Sequence, residues 1–126
     1  MAKTWAMVFG WIFILVGVLG FVSNPIVGMN GLFHADTMHD LIHIILGAIL
    51  LWAAYAAPHK AAAVMKGEGV LYLILAILGF VLVSGTGTLL GLAEINGNDN
   101  YLHLVLGIVL LLAGMKASKS SMQPMM

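Results

Sequence analysis

The sequence predicts an all-α membrane protein with four transmembrane helices, arranged as two tandem, parallel helical hairpins in a four-helix bundle. Three observations carry this expectation. The chain is 62% hydrophobic and 8% charged, whereas soluble domains are about 45–50% apolar and about 25% charged. Four apolar runs, Trp5 to Val22, Leu41 to Ala57, Val70 to Val83 and Tyr101 to Met115, reach the length of about 17–25 residues that crosses a bilayer once their flanks are added. The stretch from Asp36 to Gly47 also returns sixty places later, from Asn96 to Gly107, each copy setting a histidine seven places after an Asx residue and a glycine four places after the histidine. The chain reads as a single transmembrane domain over residues 1–126, with one repeat over 5–57 and the other over 69–115.

The first helix follows Lys3 and contains Gly10, Gly17 and Gly20. A cleaved signal peptide would end in a small-residue site. The exit Phe21-Val22-Ser23-Asn24-Pro25 has none, and Gly10 to Phe21 parallels Gly69 to Phe80, so a retained helix is expected. Pro25 ends it, having no N–H to donate and pushing Asn24 away from helical geometry.

The connection to Asp36 holds Gly28, Gly31, Leu32 and Phe33; its counterpart, Ser84 to Gly97, holds Leu89, Leu90 and Leu92. Both exceed the usual connection of about 4–6 residues. Apolar segments in the interface must satisfy their own hydrogen bonds, so a helical turn or hairpin is expected in each. Thr37-x-x-Asp40 and Asn96-x-x-Asp99 then read as capping boxes, with the acid at the positive end of the helix dipole. His59 to Gly69, with Lys60, Lys66 and Glu68, reads as a water-facing link between the repeats, and the tail from Lys116 onward as polar and frayed.

There is no arginine, and the five lysines fall at the N-terminus, the central link and the C-terminal tail. Lys and Arg concentrate on the cytoplasmic side of membrane spans, which places both termini in the cytoplasm and both polar motifs outside it, in a multi-pass protein of the inner (cell) membrane. With two spans per repeat the copies are parallel. A pseudo-two-fold axis along the membrane normal follows, rather than the inverted arrangement of many transporters.

Helices in lipid associate through small residues and interhelical polar contacts. Ala2, Ala6 and Gly10 make a small-residue ridge, and Gly47 and Gly107 offer flat patches at matching depth. Trp5, Trp11, Trp52 and Tyr55 suit an aromatic belt, and the nine methionines suit membrane packing.

The chemistry lies in the polar motif. His39 and His43 share a helix face, as do Asp99 and His103. In the reading adopted at this level, Asp36, Asp40, His43, Asn96, Asn100 and His103 are a structural device. Each imidazole, about 10 Å of helix below the Asx residue at 1.5 Å per residue, hydrogen-bonds Asp40, Asn100 or a loop carbonyl and pins the long connections. The same spacing allows His39, His43, Asp99 and His103 to hold a zinc-like divalent metal tetrahedrally. It also allows His43 and His103 to be axial ligands of haem b, with Gly47 and Gly107 making room. His34 and Glu94 correspond across the repeats as a peripheral pair, and His59 reads as solvated.

Without cysteine there is no disulfide, thiol nucleophile or Cys-ligated zinc. There is no glycine-rich nucleotide motif and no basic patch for nucleic acid. No charged residue reads as deep in a span, so a proton relay has no stepping stones. The expected protein is a non-enzymatic structural or accessory component of the membrane, with the lipid bilayer as its partner and self-association or a larger membrane assembly as further partners.

The paired (N/D)-x-x-H-x-x-x-G units after helices ending in Leu-Gly-Phe resemble a family of small bacterial four-helix membrane proteins catalogued as a domain of unknown function. The matching residues are Gly31, Leu32, Asp36, Asp40, His43 and Gly47, then Gly91, Leu92, Asn96, Asn100, His103 and Gly107. The resemblance covers nearly the whole chain and implies four spans and no established activity. His39 is not among its positions.

Overall fold

The computed structural model describes residues 1–83 and 85–122. Four long helices dominate: α1 (Ala2–Leu19), α2 (Thr37–Ala56), α3 (Ala61–Leu82) and α4 (Gly97–Met122). All four are long and apolar enough to cross a membrane, over Ala2–Leu19, Thr37–Ala56, Pro58–Leu82 and Gly97–Ser118. α1 packs chiefly on α2, and α3 on α4.

The helices pair closely because glycines face each other. A Cβ built on Gly47 would stand 2.7 Å from the main-chain oxygen of Gly10, and one on Gly107 would stand 2.9 Å from that of Gly69. At such separations only hydrogen fits, which is how small residues let helix backbones approach. The side chains of Asp40 and Asn100 fill the places that a Cβ on Gly20 and on Gly79 would take. In α1 the buried positions Ala6, Phe9, Gly10, Phe13 and Gly17 recur every three to four residues, the period of one helix face. Of these, Ala6, Phe9 and Phe13 join Leu50, Ala54, Ala61, Met65, Tyr72 and Leu110 in one core. Leu15, Ile77, Val81 and Leu112 stay exposed on the outside, the side that lipid would cover.

The two long connections differ from each other. The first forms a parallel bridge between β1 (Val27–Gly28) and β2 (Phe33–His34). Its turn is organised by Asn24, whose Nδ2 lies 2.7 Å from Leu19 O and 3.0 Å from Val27 O while its Oδ1 accepts from the amides of Ile26 and Val27 at 2.8 Å. The second is an antiparallel hairpin of β3 (Gly87–Leu89) and β4 (Ala93–Ile95). Its tip places Leu90 at φ 54° and Gly91 at φ 70°, and the amide of Leu92 donates to Leu89 O at 3.0 Å, as in a turn with both central residues left-handed.

Three expectations are corrected. α2 is capped by Asp36, whose Oδ1 accepts from the amide of His39 at 2.9 Å, and not by Thr37. At α4 the capping box forms as expected: the amide of Asp99 donates to Asn96 Oδ1 at 3.0 Å, and that of Asn96 to Asp99 Oδ2 at 2.8 Å. The segment from His59 to Gly69 is helical rather than a loop, with Pro58, His59 and Lys60 exposed at its start. Pro58 to Lys60 form one 3₁₀ turn, and α3 begins at Ala61, because proline suits the first turn of a helix and Ala61-Ala62-Ala63 is strongly helix-favouring. The polar stretch from Lys116 is helical as far as Met122, and residues 123–126 lie outside the described ones.

Candidate functional site

α2 and α4 enter the bundle with their polar first turns inward. His39, His43 and His103 come together, each buried at 3–5% exposure, with one ring nitrogen from each within 4.8 Å of the others. Ring centroids stand 5.0 Å apart for His39 and His43, 5.7 Å for His39 and His103, and 6.2 Å for His43 and His103. Asp99 is not in the group; its carboxylate is engaged as the α4 cap at 2.8 Å from the Asn96 amide.

His43 Nδ1 and both ring nitrogens of His103 have no hydrogen-bond partner among the described residues. The loop-carbonyl contact expected of His43 and His103 falls instead to His39, whose Nδ1 lies 2.8 Å from Glu94 O. The ties between the two halves run through other polar groups. Asp36 Oδ1 accepts from the Glu94 amide at 3.4 Å, and Asn96 and Asn98 donate to Leu32 O at 3.1 and 2.9 Å. His34 Nε2 meets Glu94 Oε2 at 3.5 Å, so that pair adjoins as expected. His59 is exposed.

A cavity of about 60 Å³ opens beside the imidazoles, walled by Ile42, Tyr72 and Leu75 and covered by Leu89, Leu90, Leu92, Ala93 and Ile95 of the hairpin. Below it the Tyr72 ring stands 5.2 Å from His103 and 5.4 Å from Phe13. One helical turn further along α3 is Glu68, buried at 6% exposure. Neither carboxylate oxygen of Glu68 nor the Tyr72 hydroxyl has a hydrogen-bond partner among the described residues.

Glu68 bears on the expectation that no charged residue lies deep in a span, for it is buried on α3 within the stretch Pro58–Leu82 that is long and apolar enough to cross a membrane. Its signal was available: Ala61, Met65, Glu68, Tyr72, Ala76 and Gly79 share one buried face of α3, at spacings of three and four. Matching Gly10 to Gly69 also sets Glu68 opposite Phe9 and Tyr72 opposite Phe13, so the two halves differ here by polar groups in place of a hydrocarbon core.

Four apolar helices around a buried imidazole cluster fit a multi-pass membrane protein. The family described as "Domain of unknown function (DUF4383)" matches residues 3–116, and the chain belongs to it. No curated protein matches the chain, and no solved structure does.

Proposed function

We propose that this is a metal-holding accessory protein of the cell membrane rather than an enzyme, and that His39, His43 and His103 bind one zinc-like divalent ion. The observation that carries this is the convergence of three buried imidazoles, two of which, His43 and His103, have ring nitrogens without a partner among the described residues. Buried polar groups are otherwise hydrogen-bonded, and an unmet one costs about 1–3 kcal/mol; a bound ion is the partner this set lacks. Three imidazoles suit zinc, copper, iron or nickel, with zinc distances of about 2.0–2.1 Å. Nitrogens at that distance from a common tetrahedral ion stand about 3.4 Å apart, so the set closes inward by side-chain rotation on loading. The tie from His39 Nδ1 to Glu94 O is the outer hydrogen bond that metal-binding imidazoles use to hold tautomer and ring orientation.

The cavity of about 60 Å³ favours an ion with a small fourth ligand over haem, since pockets for larger organic ligands measure about 300–1,000 Å³. The lysine distribution supports cytoplasmic termini. The matched glycine contacts of α1 with α2 and of α3 with α4 support two parallel halves about an axis along the membrane normal.

The test is equilibrium dialysis of the detergent-purified protein against zinc. Stoichiometric binding that His43→Ala and His103→Ala each abolish is expected. Absence of saturable zinc, copper, iron or nickel binding refutes the reading.

A further inference from the structure

Glu68 is hard to account for as a packing residue. It stands within a helix long and apolar enough to cross a membrane, with both oxygens unpartnered among the described residues, and the corresponding place in the first half is held by Phe9. The fold therefore has an apolar solution for this position and does not use it. An intramembrane ionisable residue of this kind marks a functional site by default.

Its position suggests what it serves. Glu68 precedes Tyr72 by four residues, one turn or about 6 Å of helix, and the Tyr72 ring is 5.2 Å from His103. A divalent ion held by three neutral imidazoles keeps its full charge in surroundings where an uncompensated charge is expensive. Coulombic attraction also reaches across a low-dielectric core much further than through water.

The other charged and titratable groups around the site are accounted for element by element. From α4, Asp99 caps its own helix and also interacts electrostatically with His39 and His34. At the start of α2, Asp36 accepts from the amides of His39 and Glu94, and from α2 come His39, His43 and Asp40, which packs against Gly20 of α1 and interacts electrostatically with His39. α1 itself brings only the exposed Lys3. Glu94 meets His34 in the covering hairpin. Glu68 and Tyr72 come from α3, as does Lys66, whose side chain packs against Gly114 of α4.

We propose that Glu68 is the charge-compensating partner of the imidazole cluster, releasing a proton when a divalent ion loads the cluster and recovering it when the ion leaves. This rests on the metal reading above and adds to it an exchange of metal for proton. On loading, three metal–nitrogen bonds replace metal–water bonds and the displaced waters leave, the O–H bond of the Glu68 carboxylic acid breaks, and the proton passes to bulk water while the carboxylate stays as counter-charge. Because binding linkage is reciprocal, added protons weaken metal binding through the same residue.

The experiment adds zinc to the detergent-purified full chain in weakly buffered solution containing a pH indicator, with bound zinc measured in parallel by equilibrium dialysis. The wild type is expected to release one proton more per bound zinc than Glu68→Gln. Zinc affinity should fall about ten-fold or more in that variant, the order that a carboxylate counter-charge acting through a low-dielectric core supplies. Asp40→Asn should behave as wild type, and Glu68→Phe, which copies the residue at position 9, should fold and behave as Glu68→Gln. Equal proton release by wild type and Glu68→Gln, with zinc still bound, overturns the exchange and leaves the metal site standing. Loss of the extra proton in Asp40→Asn alone assigns the role to Asp40 and also overturns it. Failure of the wild type to bind zinc or another divalent ion refutes the site itself, and the exchange with it.

Discussion

His39 Nδ1 lies 2.8 Å from the main-chain oxygen of Glu94, joining the first turn of α2 to the hairpin that precedes α4. The contact crosses between the halves of the chain beside the imidazole cluster, so His39 both ties down the hairpin and contributes to the group of three. His103, in the same group, has no hydrogen bond on either ring nitrogen among the described residues.

The two histidines should therefore respond differently to substitution in the metal-free protein. His39→Ala leaves the Glu94 carbonyl without its partner and should lower stability by about 1–3 kcal/mol. His103→Leu removes no hydrogen bond and should leave stability unchanged or raise it. Thermal melts in detergent decide this, and equal losses in both variants would contradict the assignment.

Glycine substitutions should split by environment. A Cβ at Gly47 would stand 2.7 Å from Gly10 O, and one at Gly69 would stand 2.7 Å from Leu111 N. Gly47→Val and Gly69→Val should then force the helix pairs apart at a cost of about 1–3 kcal/mol or more. A Cβ at Gly67, exposed on α3, meets nothing within 4 Å, so Gly67→Ala should stabilise by about 0.5–1 kcal/mol. The same melts test both signs.

Glu68→Phe should stabilise the metal-free protein by about 1–3 kcal/mol, because it removes a buried carboxyl with no hydrogen-bond partner. A clear loss of stability would mean that Glu68 serves the fold, and would weaken its proposed role.

Topology is tested by reporters fused after Met126 and inserted at the exposed hairpin tip beside Leu90. The first should read cytoplasmic and the second extracytoplasmic. The opposite result would overturn the orientation drawn from the lysines.

Much of the architecture was legible because the membrane makes local composition decisive. Long apolar runs must be helices, and the glycines that let α1 meet α2 and α3 meet α4 stand out in the repeat. Locating the cluster needed only the spacing of His39 and His43 and the echo at His103. The partners of those rings were not legible, since hydrogen bonding depends on how the connections fold. Two segments aligned by the repeat form different pairings, a parallel bridge over Val27 to His34 and an antiparallel hairpin over Gly87 to Ile95, and only the hairpin covers the cavity. Glu68 is hidden in the sequence for a simpler reason. Lys60, Lys66 and Glu68 together resemble a hydrophilic link, but Pro58 and the alanines after it continue the chain as helix, and helical periodicity turns Glu68 inward.

The most direct measurement is X-ray absorption at the zinc edge of the zinc-loaded protein, compared with His39→Ala, His43→Ala and His103→Ala. The metal reading predicts one zinc per chain with three imidazole nitrogens at about 2.0–2.1 Å and the outer-ring scattering of histidine, reduced in each variant. Zinc in an all-oxygen shell, or a spectrum unchanged by the three substitutions, would contradict it.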